Sequence, residues 1–282
     1  MAETGLLDGR SIRELAAELG LRPSKQRGQN FVTDPNTVRR IVGLSGVGPD
    51  DVVIEVGPGL GSLTLGLLET GARVVAIEVE SSLARRLDRT VSQRMPGAED
   101  RLAVVEADAM RVTELLGPPP THVVANLPYN ISVPVLLHLA ETFPSWQSGL
   151  VMVQLEVADR LVAGPGSRVY GVPSAKMAWW ATATRVATVP PTVFWPVPNV
   201  DSGLVSLTRR EPPSTTADRR RVFETIDAAF NQRRKMLRAA LAGTIGSSAA
   251  AAEVLVAAGV DPRARGETLG IGDFARIAEH LR

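Results

Sequence analysis

The chain has 282 residues, 44% hydrophobic and 22% charged, with a formal net charge of +1 and no cysteine. That supports a sizeable core, split into one large and one small domain at roughly 100–200 residues per domain, and excludes disulfides and thiolate metal sites. No apolar run reaches the about 18 residues of a membrane span, and the opening "MAETGLLDGR" lacks the basic-then-apolar order of a signal peptide, so a cytoplasmic protein away from membranes is expected.

From residue 51 onward, short apolar runs alternate with amphipathic stretches. "DVVIEVG" (51–57) reads as a strand and "SLTLGLLET" (62–70) as a helix closed by Gly71. "RVVAIEV" (73–79), a polar helix over 81–94, "RLAVVEAD" (101–108), "HVVANLP" (122–128), a helix over 132–142 and "GLVMVQLE" (149–156) follow. Continuous Val/Ile runs separated by helices predict a parallel sheet covered on both faces, an α/β fold of Rossmann-like type. "TVPPTVFWPVPNVDSGLVSLTRR" is Pro-rich and then strand-like, so its first part should be a loop over the sheet's edge. Beyond "EPPSTTADRR" the pattern turns helical to the end. The expected division is an N-terminal arm (1–22), a sheet domain (23–208) and a small all-helical domain (209–282).

Gly57, Gly59 and Gly61 stand between a strand and a helix, where glycine permits a sharp turn and close approach of backbone to ligand. About twenty residues on, Glu78 ends the next strand, placed to accept ribose hydroxyls. Asp108 ends the third strand, placed to meet an adenine amino group. The structural alternative is a plain βα turn; the succession of acids favours a nucleoside cofactor. NAD and S-adenosylmethionine both satisfy it, although G-x-G-x-G is not the dinucleotide spacing, and Glu55, Glu78 and Asp108 suit a sulfonium better than a pyrophosphate.

In "VVANLPYNIS" (123–132) an amide, Asn126, ends a buried strand at the ligand crevice. An exocyclic amine on a nucleobase is a poor nucleophile because its lone pair is delocalised. The Asn126 oxygen and the carbonyl of Leu127 or Pro128 could accept its two N–H bonds and favour the pyramidal nitrogen of the transition state. Tyr129 offers a face for stacking an extruded base. Helix capping by Asn126 and core packing of Tyr129 are the structural alternative.

Taken in order, "GQNFVTD" (28–34), "EVGPGLGSLT", "AIEVE", "ADAM", "NLPYNIS" and "FWPVPNVDSGLV" (194–205) resemble the ribosomal RNA adenine N6,N6-dimethyltransferases, and most closely their bacterial small-subunit (16S) branch. The resemblance runs from about residue 23 to the C-terminus and departs at Leu155 and over 171–177. It implies a class I S-adenosylmethionine-dependent methyltransferase sheet. It also implies methyl-donor contacts from Asn30, Val32, Gly57, Glu78, Asp108 and Asn126, beside Gly59 of the glycine loop. The target adenine would lie between Asn126–Tyr129 and a stacking ring, Phe194. The implied reaction is dimethylation of two adjacent adenosines near the 3′ end of 16S rRNA in the pre-small ribosomal subunit, by a monomer.

Charge is uneven: residues 209–238 carry 9 basic and 4 acidic groups, and residues 41–208 carry 11 and 16. In "AFNQRRKMLRAAL" (229–241), which also resembles the small-subunit enzymes, Arg233, Arg234, Lys235 and Arg238 are expected on a helix in reach of RNA phosphates. Arg22, Lys25 and Arg27 form a second candidate RNA contact; solvated surface is the alternative for both. His122, His138 and His280 lack metal-ligand spacing, and no metal is expected. Trp179 and Trp180, adjacent on a helix, cannot share one face. Rival functions are a large-subunit (23S) adenine dimethylase of the macrolide-resistance type, a ribosome-assembly factor acting by RNA binding, and a nicotinamide dehydrogenase.

Overall fold

The computed structural model describes residues 5–21, 30–128 and 131–281. The chain forms two compact units, Met1–Ala158 with Thr184–Arg209, and Asp159–Ala183 with Arg210–Arg282.

The first unit begins with α1 (Gly9–Glu18), whose N-cap Asp8 accepts from the Ser11 N–H at 2.8 Å. Leu6, Leu7, Ile12, Leu15 and Ala16 are buried in the core of this unit, so the described part of the expected arm is packed structure. After β1 (Phe31–Val32) comes α2 (Pro35–Ser45), opened by Asp34 accepting from Thr37 N–H at 2.9 Å and by proline in the first turn, and closed by Gly46 at φ +72°. Then follow β2 (Val52–Val56), α3 (Ser62–Glu69), β3 (Arg73–Glu78), α4 (Ser81–Arg94), β4 (Leu102–Glu106), β5 (His122–Asn126), α5 (Ser132–Thr142) and β6 (Ser148–Gln154). The chain continues through α6 (Leu155–Val162), α7 (Val172–Trp180), β7 (Ala181–Val189), β8 (Phe194–Trp195) and β9 (Ser202–Arg209).

Seven strands make one sheet in the order β4-β3-β2-β5-β6-β9-β7. The β3–β4, β2–β3, β2–β5 and β5–β6 pairs are parallel, and β9 runs antiparallel to β6. Every residue of β2 is buried, as a strand covered on both faces requires. Fully burying side chains such as Val53 and Ile54 contributes about 1.5–3 kcal/mol each.

Three features differ from expectation. β6 ends at Gln154, where its pairing with β9 stops at Ser202, and Leu155 already opens α6. β7 has no counterpart among the expected elements; its exposed, Thr-rich sequence is that of an edge strand. The proline-rich segment contains β8, which pairs with β1 in a separate two-stranded ribbon.

The second unit contains α7, α8 (Arg219–Asn231), α9 (Leu237–Ala240), α10 (Ala242–Ile245), α11 (Ser248–Ala257) and α12 (Ile271–Glu279). Its core joins Tyr170, Ala175 and Trp179 to Val222, Ile226 and Phe274. The Tyr170 hydroxyl donates to the Leu269 carbonyl at 2.8 Å, and Lys176 meets Asp227 at 2.8 Å. These links draw 159–183 to the C-terminal helices, so this unit is discontinuous in sequence, unlike the single boundary expected at 208. Of the tryptophan pair, Trp179 is buried and Trp180 half-buried beneath the Arg219 guanidinium. His122 and His138 serve the scaffold, His122 Nδ1 lying 3.1 Å from Asp51 and His138 Nε2 2.9 Å from the Val112 carbonyl.

Candidate active site

In the first unit, β2 has β3 on one side and β5 on the other, so the connections diverge at its C-terminal end. Crevices at such switch points hold the ligands of open α/β sheets. A cavity of about 310 Å³ lies here, bounded by Asn30, Gly57, Glu78, Asp108, Asn126 and Pro128 among others. Residues from β2, β3, β4 and β5, distant in sequence, thus meet because parallel strands all deliver their C-terminal ends to one edge.

The glycine loop turns tightly: Gly57 N–H donates to the Ile77 carbonyl at 2.9 Å, and Gly61 N–H to the Pro58 carbonyl at 3.0 Å. Gly59 has φ +59°, and a Cβ there would stand 2.8 Å from the Phe31 ring. Both the backbone conformation and the space require glycine. Its N–H donates to Glu78 Oε2 at 3.2 Å, while Glu80 N–H donates to Oε1 at 3.0 Å. Glu78 is buried, and burial outweighs those two bonds, holding its pKa above the ordinary range. Asp108 is half exposed at the cavity wall, its Oδ1 accepting from Met110 N–H at 2.9 Å.

Glu55 is the least solvated acid of the site, 1% exposed, within a strand that is otherwise all Val and Ile. Burial pushes its pKa up to about 8; the Thr64 hydroxyl, donating to Oε2 at 2.7 Å, opposes the shift and the neighbouring Glu78 charge reinforces it.

At the end of β5, Asn126 Nδ2 donates to the Asn30 carbonyl at 3.0 Å. A carbonyl can only accept, so this bond selects the amide's orientation and leaves Oδ1 as its acceptor end. Leu127 is buried, its N–H bound to the Met152 carbonyl at 3.0 Å. The Pro128 carbonyl accepts the Ile131 N–H at 3.2 Å and so already takes part in the turn. Tyr129 lies outside the described residues, as do Arg22, Lys25 and Arg27.

Two expectations need correction. Phe194 does not line the cavity; its ring is 2% exposed and belongs to the core of this unit, because strand alternation turns it inward opposite Val32. The exposed stacking face expected of it is a core contact. In the second unit, 232–236 form a turn rather than a helix, since Gln232 leaves helical geometry at φ −124°, ψ 48° and Leu237 starts a new helix with its side chain buried. Arg233 is held within that turn, its Nε 2.8 Å from Glu267 and Nη2 donating to the Arg168 carbonyl at 2.7 Å. Arg234, Lys235 and Arg238 are exposed.

The partners of the motif containing Asn30 and Val32 were not legible in the sequence. Phe31 and Val32 pair antiparallel with Trp195 and Phe194, the Phe31 and Trp195 rings stack at 6.3 Å, and the Ser62 hydroxyl donates to the Val32 carbonyl at 2.7 Å. Phe31, Ser62 and Glu80 therefore join the site wall. Only the adjacency of Phe31 to Asn30, and of Ser62 to Gly61, hinted at this.

S-adenosylmethionine fits the residues present. Glu78, Glu80 and Asp108 border the cavity together with Glu55, whose raised pKa of about 8 keeps it largely protonated at neutral pH, and no lysine or arginine does so among the described residues. That field favours a sulfonium and opposes a pyrophosphate, which disfavours NAD. Buried Glu78 would take the ribose hydroxyls, and Gly59 leaves the backbone open to close approach. Among the described residues no cluster of His, Asp or Glu is arranged to hold a metal ion, and no helix is long and apolar enough to cross a membrane.

The family model for ribosomal RNA adenine dimethylase matches residues 21–282. "Ribosomal RNA small subunit methyltransferase A" of Cutibacterium acnes is 64% identical, the match covering 100% of this chain and 96% of that one. The protein of the same name from Streptomyces avermitilis is 64% identical over 99% of this chain and 95% of its own. Among solved structures, a dimethyladenosine transferase from Plasmodium falciparum shares the fold at a TM-score of 0.73 and 22% identity, over 88% of this chain and 95% of that one. The 23S rRNA methyltransferase ErmE aligns at a TM-score of 0.63 and 27% identity, over 89% and 99% respectively. With the full-length match joining the glycine loop, Glu78 and Asn126 in one cavity, the chain belongs to the ribosomal RNA adenine dimethylase family, enzymes that use S-adenosylmethionine as methyl donor.

Proposed function

We propose that this protein dimethylates N6 of two adjacent adenosines near the 3′ end of 16S rRNA, acting as a cytoplasmic monomer on the pre-small ribosomal subunit. The observation that carries this reading is the Asn126 amide, which borders the same cavity as the glycine loop and whose Nδ2 is held by the Asn30 carbonyl, leaving Oδ1 as its acceptor end. The small-subunit branch is favoured over the large-subunit one by 64% identity to small-subunit methyltransferases against 27% to a 23S enzyme.

S-adenosylmethionine, when bound, supplies an electrophilic methyl group. Asn30, Val32, Gly57, Gly59, Glu78 and Asp108 would hold it. Asn126 Oδ1 and the Leu127 carbonyl accept the two amino hydrogens of the adenine, and these bonds strengthen as the nitrogen becomes pyramidal and positively charged. Leu127 is preferred to Pro128 because the Pro128 carbonyl already accepts from Ile131. The nitrogen sheds its proton after gaining charge, so no strong base is required, and a neutral amide does not repel phosphates. Tyr129 stacks on the extruded base, contributing about 1–3 kcal/mol. Arg234, Lys235 and Arg238, exposed on the second unit, contact RNA phosphates, and Arg22, Lys25 and Arg27 add a second basic contact.

The test is incubation with labelled S-adenosylmethionine and undermethylated small subunits, followed by nucleoside analysis and primer extension. N6,N6-dimethyladenosine at two adjacent positions near the 3′ end is expected. Label confined to large-subunit RNA would overturn the assignment.

A further inference from the structure

The amide of Asn126 can turn about its last side-chain bond, and only one orientation presents oxygen to an amine. The Asn30 carbonyl selects that orientation. Asn30 lies outside the main sheet, immediately before β1, so what holds β1 in place also holds the amide. Four sets of interactions do so: the Phe31–Trp195 and Val32–Phe194 pairing, the Phe31–Trp195 ring stack at 6.3 Å and 24°, two bonds from Thr33 (N–H at 2.8 Å, hydroxyl at 3.0 Å) to the Val193 carbonyl, and the Ser62–Val32 bond. Trp195 itself is half-buried and does not border the cavity.

We propose that Trp195 is a positioning residue for methyl transfer: by stacking on Phe31 it fixes β1, and through the Asn30 carbonyl it aims the Asn126 oxygen at the target amine. This rests on the functional reading above. A segment far along the chain from Asn30 thereby sets the geometry of an amide that neither it nor β1 neighbours in sequence. Transition-state hydrogen bonds lose most of their value when misaligned, whereas ground-state binding of cofactor and RNA draws on many other contacts. The effect of removing the indole ring should therefore fall on kcat.

The experiment measures kcat, the KM for undermethylated small subunits, and S-adenosylmethionine affinity by calorimetry for Trp195→Ala, Trp195→Phe, Asn126→Ala and the Trp195→Ala/Asn126→Ala pair. Trp195→Ala is expected to lower kcat, measured at saturating S-adenosylmethionine, about tenfold, with the KM for subunits within about threefold. Cofactor affinity weakens by less than the loss in kcat, because Asn30 and Val32 supply only part of the cofactor's contacts. Trp195→Phe, which keeps a stacking ring, restores kcat. In the Asn126→Ala background the indole no longer matters, so the double variant is no slower than Asn126→Ala. Unchanged kcat in Trp195→Ala overturns the proposal, as does a loss that multiplies with that of Asn126→Ala. Should Trp195→Ala fail to fold, Thr33→Val removes one bond from the other end of the ribbon and replaces it in the same cycle: a lower kcat that vanishes in the Asn126→Ala background supports the proposal, and an unchanged or multiplying one overturns it. Normal turnover by Asn126→Ala alone would instead sink the role of the amide, a failure distinct from that of Trp195.

Discussion

Glu55 is a carboxylic acid inside a strand of Val and Ile, and Glu55→Gln tests what that placement does. Its folded pKa of about 8 stands against an ordinary value of 4.5. Between those values the unfolded chain has released the proton while the folded chain retains it, so the folded state binds more protons and stability falls as pH rises. Each pH unit in this window costs about 1.4 kcal/mol, so the loss between pH 5 and pH 8 is about 4 kcal/mol. Glutamine has the same shape, keeps an oxygen for the Thr64 hydroxyl and cannot ionise. Relative to wild type, Glu55→Gln is therefore expected to gain about 4 kcal/mol between pH 5 and pH 8. Any fixed cost of seating the new amide hydrogens cancels from that difference, as does the parallel contribution of Glu78 if its own raised pKa is retained. Urea unfolding of both proteins at pH 5, 6.5 and 8, at one ionic strength and without cofactor, measures it. Stability curves that stay parallel across this range would show that Glu55 ionises normally in the fold, and the reasoning from burial would be wrong.

Four further outcomes are expected. Gly59→Ala places a methyl 2.8 Å from the Phe31 ring at φ +59°, so S-adenosylmethionine affinity measured by calorimetry should drop at least tenfold, with about 1–2 kcal/mol of lost stability. Asn126→Ala should lower kcat on small subunits by about 10²–10³ while cofactor affinity stays within a few-fold, the signature of a group that acts in the transition state. Replacing Arg234, Lys235 and Arg238 together by alanine should flatten the dependence of log affinity on log salt by about 2–3 in filter binding to small subunits. Arg233→Ala, by contrast, should leave that slope in place and cost about 1 kcal/mol in a thermal melt, since its guanidinium is engaged by Glu267 and the Arg168 carbonyl.

Features that depend on near neighbours along the chain were legible in the residues alone. The alternation of apolar runs with helices specified the parallel sheet, because a strand covered on both faces is apolar along nearly all its length. Glycines at 57, 59 and 61 with an acid at 78 specified a nucleoside crevice, because one βαβ unit carries both. Asn126 was legible as an amide at a strand's end. What distant segments do to one another emerged only with the fold. It turned Phe194 into the core through pairing with β1, gathered 159–183 into the helical unit, and placed Arg233 in a turn beside Glu267. It also oriented the Asn126 amide and raised the Glu55 pKa, since a hydrogen-bond partner 96 residues away and the dielectric of a packed interior have no local signature in the chain.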